Sequence, residues 1–196
     1  HTDGWLLIAT DCEETGYLYR MALDGTIDPD FSLEIPAEID RLWIDPEGRI
    51  YVVAGFPSPD EWPNRHLTRL MPDGRFDPSW QLSFDGTVWD VEFGDDGNVY
   101  VCGSFRSVDG GTTGNIVRIS SGGSLDPTFP ATPYTGTVYS LSPMEHGAWL
   151  ASSHETLRIS AEGEVTEIWG SSGSSRVLDL PFGAIASVNS HPYKFM

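Results

Sequence analysis

Basic residues are scarce in this chain: 11 Lys and Arg stand against 29 Asp and Glu, a formal net charge of −18. A surface this acidic repels phosphate backbones and anionic lipid headgroups, so nucleic acid is not an expected partner. Cysteine is nearly absent. Cys12 and Cys102 fit no metal-ligand spacing and are too few for a disulfide framework. Two free thiols are expected, with a bridge between them left open. No apolar run approaches the ~18–20 residues of a membrane helix, so membrane insertion is not expected. No long stretch carries helical periodicity. The histidines (His1, His66, His146, His154 and His191) are scattered and form no zinc-protease pattern, and no glycine-rich phosphate loop is present. No metal and no cofactor is therefore expected. The chain begins at His1 rather than Met, which points to a processed or trimmed product, so a missing leader says nothing about compartment.

What is there is the composition of a folded protein rich in turns. Apolar residues make up 39% and aromatics 12%, with 21 Gly and 14 Pro spread along 196 residues. A disordered chain would be poorer in Trp, Tyr and Phe.

The main signal is an internal repeat. "LDGTIDPDF" (23–31), "MPDGRFDPSW" (71–80) and "SGGSLDPTF" (121–129) carry glycines at 25, 74 and 123, each 49 residues from the next. Arg20, Arg69 and Arg118 precede these glycines by five residues. Asp28-Pro29, Asp77-Pro78 and Asp126-Pro127 follow, and Phe31, Trp80 and Phe129 close each copy. A fourth copy has Arg158 and Gly163, lacks Asp-Pro, and places Trp169 near the closing position. Between these lie strand, tight turn, strand segments whose turn glycines are Gly48, Gly97 and Gly147. Each unit thus reads as three good strands and a weak fourth. Proline cannot donate to a ladder, which puts that fourth segment at an edge, with pairing ending at the proline. Small antiparallel sheets repeating every 40–50 residues predict an all-β, β-propeller-like fold of about four blades.

The units read as 3–31, 38–80, 87–129 and 137–169 of a single domain spanning 1–196. The first unit lacks its first strand. "RVLDLP" (176–181) matches that missing strand, so the expectation is a ring closed by pairing of the N- and C-terminal strands. "GAIASVN" (183–189) reads as a further second strand, so the alternative is an arc of a larger propeller. Residues 187–196 form a C-terminal tail without a repeat partner.

The stretch "GTVWDVEFGDDGNVYVCGSF…NIVRISSGGSLDPTF" resembles the delta-60 repeat, a β-propeller-like repeat of bacterial surface and phage proteins. The resemblance spans about residues 4–169 and is strongest in the third unit. It implies a propeller-like scaffold, an extracellular or virion setting and no particular activity, so it assigns no catalytic residue.

Several residues are weighed for function. In the turns, Asp28, Asp77 and Asp126 are expected to bond their own backbone. A calcium-loop reading of "DGTIDPD" lacks the ligand spacing of that motif. The four arginines are expected to pair with the acidic turns, one charge-assisted bond per unit, with an anion-binding ring as the alternative. Function in repeat scaffolds gathers where a unit departs from its template. Two loops do so, 57–66 and 106–115. The first carries Trp62 beside Asp60, Glu61, Asn64 and Arg65, a set suited to sugar stacking or to a protein hot spot. Trp62, Asp60, Glu61 and Asn64 are the candidate binding residues. The other six tryptophans sit at strand or closing positions and are expected in the core. "SSHETLR" (152–158) places Ser, His and Glu close together, but triads assemble in space and neighbours on a strand face opposite ways. The expectation is a non-catalytic structural or binding module whose partner is a protein or a cell-surface glycan, with a homo-oligomer or larger assembly left open. The alternatives are a carbohydrate-binding module and a glycan-active enzyme.

Overall fold

The protein is described by a computed structural model. It describes residues 4–12, 15–35, 37–55, 65–129, 136–144, 147–153, 155–160, 162–169, 176–179 and 185–188. The chain divides into two compact units, 1–84 and 85–196. The secondary structure of the described residues is strand and turn throughout.

Unit 1 holds two antiparallel sheets. The first has three strands in the order β1 (Trp5–Cys12), β2 (Thr15–Ala22), β3 (Ile27–Ile35). The second has four: β4 (Glu38–Ile44), β5 (Ile50–Gly55), β6 (Arg65–Leu70) and β7 (Phe76–Leu82). Each sheet is a meander of hairpins, so each repeat builds its own sheet. Between the two lies one apolar core, with Leu18, Phe31, Ile35, Ile39, Val52 and Leu70 buried. The Asp11 carboxylate also joins the sheets, accepting from the Ile39 N–H at 2.8 Å.

In unit 2, one sheet pairs β8 (Val88–Phe93), β9 (Val99–Gly103) and β12 (Ile116–Ile119). The next contains β13 (Val138–Met144), β14 (Gly147–Ser152), β15 (Thr156–Ser160) and β16 (Val165–Trp169). Their shared core includes Cys102, Ile116, Phe129, Val138, Leu141 and Leu157. Asp90 does here what Asp11 does in unit 1, accepting from the Leu141 N–H at 3.1 Å. Cys102 is a fully buried thiol, while the Cys12 side chain lies outside the described residues.

The turn chemistry is repeated almost atom for atom. Gly25, Gly74, Gly123 and Gly163 all have φ between +85° and +89°. In each, the glycine N–H donates to the carbonyl three residues back, and that same residue's N–H donates to the carbonyl of the residue after the glycine. This is a three-residue hairpin loop whose last position is left-handed, where a Cβ is costly. The fourth unit therefore keeps its turn although it has lost Asp-Pro.

Three features differ from the sequence expectations. First, in unit 1 pairing does not stop at the proline, whereas in the third repeat it ends before the proline, as expected, with the single bridge Ile119–Leu125. In unit 1, Met21 pairs with Ile27 and Tyr19 with Ser32, so Arg20 faces a four-residue bulge, 28–31, beyond which the ladder resumes. Arg69 likewise faces 77–80. The bulge lets the strand pass its proline without a missing donor. Second, the described part of 176–181 has a partner strand within unit 2. β17 (Arg176–Asp179) pairs with β18 (Ile185–Val188), and the one described partner of β1 is β2. Among the described residues no sheet is closed by pairing of the N- and C-terminal strands. Third, of the tryptophans expected in the core, Trp80 and Trp149 are buried, whereas Trp5, Trp43 and Trp89 are half-buried.

The glycine of the Gly-x-Phe element is a packing requirement. A Cβ on Gly103 would lie 2.1 Å from the Thr87 carbonyl oxygen and 2.8 Å from the Phe105 ring. Gly103→Ala is therefore expected to cost about 1–3 kcal/mol. Urea unfolding checks this: the midpoint should fall while the slope stays unchanged.

Candidate functional site

The repeated Asp, Arg and aromatic meet in one place in each sheet. In the first sheet of unit 1, Asp28 Oδ1 accepts from the Asp30 N–H at 2.9 Å. Its Oδ2 accepts from Nε and Nη2 of Arg20 at 3.1 and 2.7 Å. The guanidinium lies over the Phe31 ring, 4.5 Å from its centroid. The second sheet repeats this with Asp77, Arg69 (2.9 and 2.6 Å) and Trp80 (4.6 Å). In unit 2 the set is Asp126, Arg118 (2.8 Å) and Phe129 (5.1 Å). In unit 1 the bulge puts the Asp, the Pro and the aromatic around the arginine, which fills it. The last sheet substitutes Glu167 for Asp, 2.8 Å from Arg158 Nη1, and draws its ring from Trp149 on the neighbouring strand at 5.7 Å. The expected charge-assisted bond per unit is thus present in all four.

Two further residues complete the arrangement, and single-residue reading missed both. Tyr51 sits opposite Arg69, and Tyr100 opposite Arg118. Tyr51 donates to Asp45 at 3.3 Å and accepts from Arg69 Nη1 at 3.4 Å. Tyr100 donates to Asp96 at 3.1 Å and bonds Arg118. Burial pushes both phenols up, so they stay protonated. The acid comes from the first turn position in one sheet (Asp45) and from the third in the other (Asp96), which hid the equivalence. The signal was available: both tyrosines lie three residues after their turn glycine, Gly48 or Gly97.

Gly4 has Leu7 at that offset, and Leu7 is the residue opposite Arg20. The first sheet therefore lacks the tyrosine. Among the described residues, no acceptor sits on Nη1 of Arg20. Beside it lies a small surface recess with room for about one water, lined by Trp5, Leu7, Arg20, Ile44, Gly48, Ile50 and Pro72. The Trp5 ring stands 5.8 Å from the Arg20 guanidinium. The first sheet departs here from the second and third, as the fourth does with Trp149 opposite Arg158, and the recess, with apolar walls and one guanidinium edge, is the candidate functional site.

The candidate residues Asp60, Glu61, Trp62 and Asn64, with the loop that carries them, lie outside the described residues. Loop 106–115 is a small fastened hairpin. β10 (Ser107–Val108) pairs with β11 (Gly111–Thr112). Asp85 Oδ1 accepts from the N–H groups of Arg106 and Ser107, Asn115 donates to the Phe105 carbonyl at 3.0 Å, and Val108 is buried. The Ser152 hydroxyl donates to the Glu155 carbonyl at 2.6 Å and closes a turn; His154 lies outside the described residues. Among the described residues there is no group of three or more His, Cys, Asp or Glu arranged to hold a metal ion. No described helix is long and apolar enough to cross a membrane.

Comparisons with known proteins agree with this architecture. Residues 95–129, the later strands of the third repeat with their closing turn, match a family described as a domain of unknown function (DUF5122), a β-propeller. No curated protein matches the chain in sequence. Among solved structures, the chain is similar to virginiamycin B lyase from Staphylococcus aureus, at TM-score 0.61 and 14% identity over 95% of this chain and 64% of that one. It is also similar to a protein of unknown function from Bacteroides caccae, at TM-score 0.55 and 18% identity over 86% of this chain and 64% of that one. The chain thus spans about two thirds of the length of each. At these identities the likeness is one of fold.

The charge pairs rank by burial. Arg69 and Asp77 side chains are 3% and 10% exposed, while Arg158 and Glu167 are 36% and 38% exposed. Asp77→Ala leaves a buried guanidinium uncompensated and is expected to cost about 3–5 kcal/mol. Glu167→Ala is expected to cost about 0–1 kcal/mol. Chemical denaturation of the two variants checks the order.

The same pairs set an acid limit. The Ser79 hydroxyl and N–H, with Arg69, hold Asp77 at about 2. The Thr128 hydroxyl and N–H, with Arg118, hold Asp126 at about 2. A carboxylate whose folded pKa is depressed contributes stability above its unfolded pKa of roughly 3.9, and that contribution disappears as pH falls toward the folded value. Stability should therefore drop between about pH 4 and pH 2, and less steeply in Asp77→Asn/Asp126→Asn, which urea titrations at stepped pH would register.

Trp80 stands where two other repeats have Phe. It is 1% exposed, and among the described residues no acceptor reaches its indole N–H. Removing a buried unsatisfied donor offsets the smaller ring. Trp80→Phe is expected within about 1 kcal/mol of the parent and Trp80→Ala about 3–5 kcal/mol below it; the spread between the two melting curves checks this.

Proposed function

We propose that the chain is a non-catalytic, β-propeller-like module with a binding or structural role, from an extracellular bacterial protein or a phage tail, presenting a surface to a host or partner. The observation that carries this reading is the commitment of the repeated ionisable groups to one another. Each Asp carboxylate gives one oxygen to its own backbone and the other to an arginine. Groups held this way fix the sheet and are poorly placed to move protons on a substrate. The acidic composition argues for a protein or glycan partner over nucleic acid.

The delta-60 resemblance supports a bacterial surface or phage setting. The pairing of β17 with β18 favours an arc of a larger ring over a closed ring of four, since these read as the first two strands of a further blade.

A second reading is a carbohydrate-binding module using Trp62 with Asp60, Glu61 and Asn64, supported by an indole set among acids and amides. A glycan-active enzyme is the third, and the similarity to a lyase makes turnover worth measuring. A glycan array with a parallel hydrolysis assay separates them. The favoured reading expects no turnover; the second expects glycan binding that is lost in Trp62→Ala. Catalytic turnover abolished by replacing a single carboxylate would overturn the favoured reading.

A further inference from the structure

We propose that the open edge of β1 receives an antiparallel strand from a second polypeptide, a proline-free segment of the form Val-x-Asp-Val or Val-x-Asp-Leu, which completes the first sheet. This rests on the structural-role reading and gives it a docking edge and a partner of stated chemistry.

The other sheets show what sits on this edge. Leu7 faces Arg20 as Tyr51 faces Arg69, Tyr100 faces Arg118 and Trp149 faces Arg158, so β1 holds the place of β5, β9 and β14. Each of those three strands is covered on its other side, by β4, β8 or β13. Among the described residues nothing covers β1 there, and its eight residues, Trp5–Cys12, form an edge of the kind that pairs with an incoming strand. The covering strands also supply the register and the side chains. All three carry a bulge at the same step, between Ile39 and Arg41, Val88 and Asp90, and Val138 and Ser140. A buried β-branched residue precedes it (Ile39, Val88, Val138), and Leu42, Val91 and Leu141 follow it. Carried onto β1, this register sets the valine of the incoming segment level with Thr10 and the residue after its aspartate level with Ile8. The aspartate has a role of its own. Asp90 of β8 accepts from the Leu141 N–H on the following sheet, and Leu42 holds the position of Leu141 on the sheet that follows β1. An aspartate delivered to the edge of β1 in the β8 register therefore approaches the Leu42 N–H. The chain has one further segment of this form, Val177–Asp179, and it is already paired with β18. The occupant is accordingly a strand from outside the chain.

The test uses the whole ¹⁵N-labelled chain, at high salt to screen its net charge of −18, with amide exchange followed by NMR. The probe is acetyl-Thr-Val-Trp-Asp-Val-Glu-Phe-amide, the sequence of β8. It should slow exchange along Leu6–Thr10 saturably and move the Leu42 amide signal. A peptide with proline in place of the glutamate, the residue level with Leu7, loses a ladder donor and should bind at least about tenfold more weakly, a gap of roughly 1.4 kcal/mol. A peptide with alanine in place of the aspartate should still slow exchange on β1 and leave the Leu42 signal unmoved. Equal binding of the proline peptide overturns the proposal, as does the absence of any slowing on β1. Exchange on β1 as slow in the free chain as on β5 overturns it too, because the edge is then already covered. Slowing that grows with protein concentration assigns the cover to a second copy, and slowing independent of concentration assigns it to the chain's own 176–181. Failure here removes this edge alone and leaves the non-catalytic module standing, whereas catalytic turnover removes that reading without touching the edge.

Discussion

Each repeat depends on one arginine paired with a carboxylate of its last segment, and in unit 1 that arginine faces a bulge. The hairpin turn brings the Asp-Pro segment alongside the third strand, and the proline prevents a regular ladder there. Left empty, the bulge would expose unpaired backbone to the interior of the sheet edge. The guanidinium fills it, bonds the carboxylate that has already capped its own turn, and lays its face on the aromatic that closes the repeat. That aromatic then packs onward: a Cβ on Gly74 would meet the Phe31 ring at 3.3 Å, so the turn glycine of the second sheet receives the ring of the first. Local turn chemistry and sheet-to-sheet packing are therefore one interaction.

The variations follow from the same constraint. Where Asp-Pro is lost, the bulge between Arg158 and Ile159 contracts to a single extra residue, and the longer Glu167 reaches the arginine instead. Where the arginine is deeply buried, a tyrosine and a second acid extend the network, as in Asp45–Tyr51–Arg69–Asp77. Fully satisfied polar networks of this kind specify one arrangement. The first sheet lacks the tyrosine and has a small recess in its place.

Much of the fold was legible in the sequence because turn residues carry absolute positional meaning. The 49-residue spacing of Gly25, Gly74 and Gly123 and the edge position of the Asp-Pro strand could be read directly. The ladder resuming beyond Pro29 could not, since a bulge depends on what faces it across the strand. Nor could the choice of partner for 176–179, because two segments competed for one role and both have strand patterning. The candidate recess was legible only by comparing repeats at a fixed offset, where Leu7 stands against Tyr51 and Tyr100. The 57–66 loop carries its tryptophan signal in composition alone, which says nothing of where the indole points.

The central claim is that the pairing of the arginine with its carboxylate holds each repeat together. A double-mutant cycle on Arg69 and Asp77, using Arg69→Met and Asp77→Asn with stability read by urea unfolding, tests it most directly. The account predicts a coupling energy of about 1–3 kcal/mol. Strictly additive single losses would contradict it, because the two residues would then stabilise the sheet independently and the repeat would owe its form to the turns alone.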